Sequence, residues 1–179
     1  MRRGATISAM FGVLMIGLLM VLPTGQAADI TKAKAAEYIL ATVKAARTVF
    51  VKGVVQDAKK GGLSPNEDWV KDDHGIMLPA QFVKELGKEI KDFEVSLVGT
   101  DPLYASNAAK SPKEKEMLAA LAGGKESILT GEDGGKTIGM SADFAIVDSC
   151  ATCHNEHPKT TKKDWKKGDF MGAIVVRMN

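Results

Sequence analysis

The stretch "DSCATCHNEHPK", residues 148–159, gathers most of the chain's reactive side chains. It holds both cysteines, Cys150 and Cys153, and two of the three histidines, His154 and His157. Three chemistries use such a cluster: a metal site, a redox dithiol, or covalent haem attachment. Cys150-Ala151-Thr152-Cys153-His154 has the spacing C-x-x-C-H, which in an exported protein reads as a c-type haem attachment site. Two thiols add across two vinyl groups to give thioether links. The two intervening residues bring both sulfurs to one edge of the porphyrin, and the next residue offers an imidazole to the iron.

The rival chemistries use the residues less completely. A disulfide closing so short a loop stabilises little and leaves His154 without a role. A thioredoxin-like dithiol belongs at a helix start within a βαβ pattern, and no helix pattern or βαβ unit is legible after the motif. Zinc held by Cys150, Cys153, His154 and His157 would crowd four tetrahedral ligands into eight residues.

The N-terminus agrees with export. "MRRG" is a positive start, residues 10–22 form an uncharged apolar run, and "GQA" places small residues before a cut after Ala27. The expected organisation is a signal peptide over 1–27 and one domain over 28–179. An uncleaved segment, with residues 5–22 as anchor, is the alternative, and only then is a membrane a partner. Either route leads to a periplasmic or otherwise exported domain, where thiols tend to oxidise.

Composition is that of an ordinary globular domain, 45% hydrophobic and 26% charged. The formal charge of +2 includes Arg2 and Arg3, so residues 28–179 carry a net charge of 0. That balance gives no reason to expect nucleic acid as a partner.

The elements that must position the cluster follow from periodicity and punctuation. Residues 31–60 read as a long helix with Ile39, Val43, Ala46, Phe50 and Val54 on one face, stopped by Gly61-Gly62. "SPNE", 64–67, predicts a short capped helix, and another starts at Pro79. "FEVSLV", 93–98, alternates as a strand. "SPKE", 111–114, is a second capping box, opening a helix that ends at Gly123-Gly124. Asp133-Gly134 marks a hairpin, "FAIV" at 144–147 an extended run into the cysteines, and "MGAIVV" a final strand. Helices first and strands later give an α+β pattern with an antiparallel sheet.

Taken together, "LPAQFVKEL" (78–86), "VSLVGTDPLYASNAAKSPKEKEMLAAL" (95–121), "CATCHN" (150–155) and "DWKKGDFMGAIVV" (164–176) resemble the exported single-haem c-type proteins with a PAS-like fold. That family is catalogued as a domain of unknown function. Its members are stand-alone exported proteins and periplasmic sensor modules. The resemblance implies a five- or six-stranded antiparallel sheet flanked by helices and one haem c beside it. It also implies Cys150 and Cys153 as attachment points and His154 as proximal ligand.

The sixth iron position separates the functions. His74, in "DDHGIM", and the thioethers of Met77 and Met140 are the side chains offered for it. His157 is tethered to the proximal face, Lys44, Arg47 and Lys52 read as a solvated helix face, and an open or water-bound site is a further option. Two strong ligands favour one-electron transfer to a redox partner protein. A weak or open site favours a sensor of redox state or of a diatomic gas, acting through a separate signalling partner. A peroxidase would need a distal acid–base group, for which only His74 is available.

Overall fold

A computed structural model describes residues 29–179 of the chain. The expected signal segment, 1–27, lies outside the described residues. No helix among the described residues is long and apolar enough to cross a membrane.

The leading helix, α1 (Lys32–Val49), starts where Thr31 accepts the Lys34 N–H on its hydroxyl. It runs through a π-helical stretch, Phe50–Val55, into α2 (Gln56–Lys60), which stops at Gly61. Its buried stripe is Ala36, Leu40, Val43, Arg47, Val51 and Val55. The expected face was rotated from this one: Val43 is shared, but Val54 is 52% exposed. Two local causes set the rotation. Gly139 leaves room for Leu40 and Ala36, since a Cβ there would meet Leu40 Cδ1 at 2.9 Å. Arg47 buries its stem and places Nη1 2.9 Å from Asp143 Oδ1. Arg47 is only 8% exposed, so it does not belong to the solvated face expected for it.

"SPNE" departs from expectation. Ser64–Asn66 form a strand, β1, parallel to β2 (Gly75–Met77). The Ser64 N–H donates to the His74 carbonyl at 2.8 Å, and Asn66 Nδ2 donates to Asp72 at 2.7 Å. Pro65 lacks an N–H and suits so short an edge strand. Glu67, the expected box residue, turns its carboxylate to Tyr104 instead.

The next elements follow the sequence closely. Helix α3 (Pro79–Glu89) begins at its proline, with Gln81 Oε1 accepting the Leu78 N–H. Strand β3 (Glu94–Gly99) is followed by α4 (Pro112–Ala122), capped by the Ser111 hydroxyl on the Glu114 N–H. The box at α4 is half formed. The Glu114 carboxylate accepts from the Lys110 N–H at 2.6 Å and from the Arg177 guanidinium, not from Ser111.

Strands β4 (Ile128–Asp133) and β5 (Lys136–Phe144) make the expected hairpin, with Gly134 and Gly135 at positive φ in the turn. With β6 (Phe170–Met178) they complete one antiparallel sheet of order β3-β6-β5-β4. This sheet has four strands rather than five or six. The remaining extended pair, β1 with β2, forms its own two-stranded sheet. The α+β class stands.

Alternation along the central strands gives the sheet two cores. Ala173 and Val175 join Ile138, Met140 and Ala142 against Met117, Leu118 and Leu121 of α4. Ile174 and Val176 join Val95 against Ala36, Leu40 and Val43 of α1 and Val83 of α3. The β5–β6 register shifts between Asp143 and Phe144. The extra residue is Met171 of β6, opposite the point where β5 ends and the chain departs toward the cysteine cluster.

Candidate haem attachment site

The cluster is helical. Asp148–Glu156 form α5, entered from extended Val147 without a side-chain cap. The sequence shows no legible helix pattern at the motif, since Cys, Thr, Asn and His are mediocre helix formers, and the structure corrects that reading. Local bonds hold the helix: the Cys150 N–H donates to the Val147 carbonyl at 3.0 Å, and the Thr152 hydroxyl to the Asp148 carbonyl at 3.2 Å. Asp148 lies in the first turn, where a negative charge suits the helix dipole. Pro158 forces His157 out of the helical region, and the His157 N–H closes the last turn on the Cys153 carbonyl at 3.1 Å.

Helical spacing puts Cys150, Cys153 and His154 on one face, at three and four residues from Cys150. Both cysteines are free thiols. Cys150 is half-buried and Cys153 exposed at the helix surface. Desolvation of the sulfur, then Cys150 and the carboxylates of Glu67 and Glu156, push the Cys153 thiol up, with Lys59 opposing. A reactive dithiol needs the reverse shift.

His154 is half-buried, and its Nδ1 is sealed from solvent without a hydrogen-bond partner. Burial is the main cause that lowers its pKa, helped by His157 and Arg47 and opposed by Asp101. The imidazole is therefore held neutral, the form that binds metals. Trp165 stands edge-on to it, ring centroids 6.2 Å apart at 75°.

Three segments frame α5. Gln56 of α2 reaches Ser149 at 3.3 Å. Glu67, just after β1, accepts the Tyr104 hydroxyl proton at 2.6 Å and lies 3.6 Å from His157 Nε2. The third is the loop 157–169, tied back by Asn155. Asn155 Nδ2 donates to the Trp165 carbonyl at 3.0 Å, and the Trp165 N–H donates to Asn155 Oδ1 at 2.9 Å. This clamp escaped the sequence reading. Its only sequence signal is an asparagine directly after the histidine.

The residues offered for the sixth position belong to two different sheets, His74 and Met77 to the β1–β2 unit and Met140 to β5. His74 is exposed in the β1–β2 loop, its N–H on Asp72 Oδ1 at 2.9 Å. Met77 is half-buried at the end of β2. Met140 is fully buried in the core against α4, where it packs as an apolar filler. His157 is engaged at both nitrogens, with Nδ1 accepting the Lys159 N–H at 3.1 Å. Among the described residues no three His, Cys, Asp or Glu side chains converge to hold a metal ion.

The donor set suits haem. Two free thiols and an imidazole share one helix face, and the imidazole Nδ1 is buried without a partner.

No curated protein and no solved structure matches the chain. The family model described as Tll0287-like matches residues 25–179, which takes in every element above. On that match, the chain belongs to the Tll0287-like family.

Proposed function

We propose that the protein is an exported mono-haem c-type cytochrome that passes one electron to a redox partner protein. The observation that supports this most is the single helix face bearing Cys150, Cys153 and His154, with both thiols free and the imidazole held neutral. Each thiol adds its S–H across a vinyl C=C. An S–C bond forms at one carbon and the proton and electron pair complete a C–H bond at the other, so no oxidant is needed. His154 would hold the iron through an imidazole nitrogen. A haem in this setting supplies a one-electron ferric–ferrous couple. The helical frame and antiparallel sheet are compatible with a PAS-like reading of the fold. The basic start at Arg2 and Arg3, the apolar run over 10–22 and the small residues before a cut after Ala27 support export to a periplasm or beyond.

A second reading, a haem sensor of redox state or of a diatomic gas, is favoured by the burial of Met140 in the core, which leaves one fewer of the side chains offered for the sixth position. Optical spectra of the ferric, ferrous and carbon monoxide-treated ferrous protein decide between the two. A low-spin spectrum indifferent to carbon monoxide supports electron transfer. A high-spin spectrum that shifts with carbon monoxide supports sensing.

A further inference from the structure

Residues 158–168, "PKTTKKDWKKG", carry Lys159, Lys162, Lys163, Lys166 and Lys167 against the single Asp164. That is a local charge of +4 in a domain whose net charge over 28–179 is 0. The rest of the domain is therefore net negative, and its positive excess is concentrated beside α5.

Three of these lysines are held in place. Lys159 Nζ sits 3.8 Å from the Tyr104 ring centroid and Lys162 Nζ 3.8 Å from that of Trp165. Lys163 Nζ donates to the His157 carbonyl at 3.3 Å. A lysine already resting on an aromatic face loses less rotamer freedom when a partner docks. The loop itself is fixed from below. Asp101 accepts from the Thr161 hydroxyl at 2.7 Å and the Lys162 N–H at 3.1 Å, and Asp169 accepts the Lys166 N–H at 2.9 Å. Both carboxylates stay charged and offset part of the loop's +4, and Asp169 also lies 3.5 Å from Lys162 Nζ. Lys166, Lys167 and Lys163 remain exposed around them.

The loop also has a privileged position. Trp165 is 6% exposed, with Lys162 Nζ over its ring and the His154 ring T-shaped to it. One indole thus touches both the basic loop and the imidazole.

We infer that the loop 158–168 is the docking surface for an acidic redox protein, which it seats over Trp165. This rests on the electron-transfer reading of α5. Complementary charge of this kind acts on the encounter rate and vanishes with salt.

The test uses the purified protein, the same protein carrying Lys166→Glu and Lys167→Glu, and a ten-residue oligoglutamate as probe. Amide NMR shifts should concentrate in 158–168, fade as salt is raised, and be lost in the variant. Oxidation of the ferrous protein by hexacyanoferrate, an anion, should slow about fivefold or more in the variant, while a cationic cobalt complex should react faster. Shifts scattered over other surfaces, or oxidation rates unchanged by both salt and charge reversal, overturn the inference. A denaturing gel of the same preparation, stained for haem, reports separately on attachment. The NMR arm needs no haem, so failure of the surface and failure of the haem reading are told apart.

Discussion

Asn155 and Trp165 exchange two hydrogen bonds, side-chain amide to main chain in both directions, and so lock the lysine loop onto the last turn of α5. The clamp sits one residue from His154 and fixes the indole that packs against it. Asn155→Ala removes both bonds and strands a backbone N–H and C=O that are part-buried. The expected loss is about 1–3 kcal/mol of stability, read from the urea midpoint, with faster amide exchange confined to residues 158–168. Unchanged exchange in the loop would show that other contacts hold it.

A second clamp ties α4 to the sheet. Glu114 is 2% exposed and accepts from both Arg177 and the Lys110 N–H, while Arg177 also reaches Glu94 at 2.7 Å and Ser96 at 2.8 Å. Glu114→Ala leaves the guanidinium without its buried partner, and about 3–5 kcal/mol of destabilisation is expected. Exchanging an exposed partner, Glu94→Ala, should cost less than about 1 kcal/mol. Denaturant titrations of the two variants check the ranking.

Acid should loosen the lysine loop. The Thr161 hydroxyl is the main cause holding Asp101 below its ordinary range, and the Lys166 N–H is the main cause for Asp169. A carboxylate lowered in the folded state stabilises it fully above the ordinary carboxylate pKa. That contribution is lost as pH falls through the lowered value. Asp101→Asn with Asp169→Asn should therefore flatten the acid limb of the stability–pH curve, measured by thermal unfolding from neutral to acid pH. Asp143 runs the other way, since burial raises its carboxyl above the usual range while Arg47 and Lys44 pull it back. It is common to both proteins and cancels from the comparison.

Much of the frame is legible where a single residue punctuates the chain. Pro79 and Ser111 open their helices, Gly61 and Gly123 stop theirs, and the hairpin marked by Asp133-Gly134 turns one residue later, on Gly134-Gly135. What stayed hidden depends on distant partners. Ser64 and Glu67 form a strand and a bridge rather than a cap, because their polar groups are engaged by His74, Tyr104 and His157. Arg47 is buried because Asp143 lies opposite it on β5, some hundred positions along the chain. Helix α5 is held by its own backbone and by Gln56 despite weak propensity. The C-x-x-C-H spacing of Cys150, Cys153 and His154 is plain in the sequence. Their shared helical face and the Asn155 clamp are not.

The most direct measurement is the intact mass of the protein under denaturing conditions, expressed with c-type haem maturation in an exporting host. The account predicts a mass higher by one haem. Cys150→Ser with Cys153→Ser should show the bare polypeptide mass, while His154→Ala keeps the added mass in whatever protein is matured but changes the iron spectrum. A wild-type protein at bare polypeptide mass, or a double cysteine variant that still carries the haem mass, would contradict it.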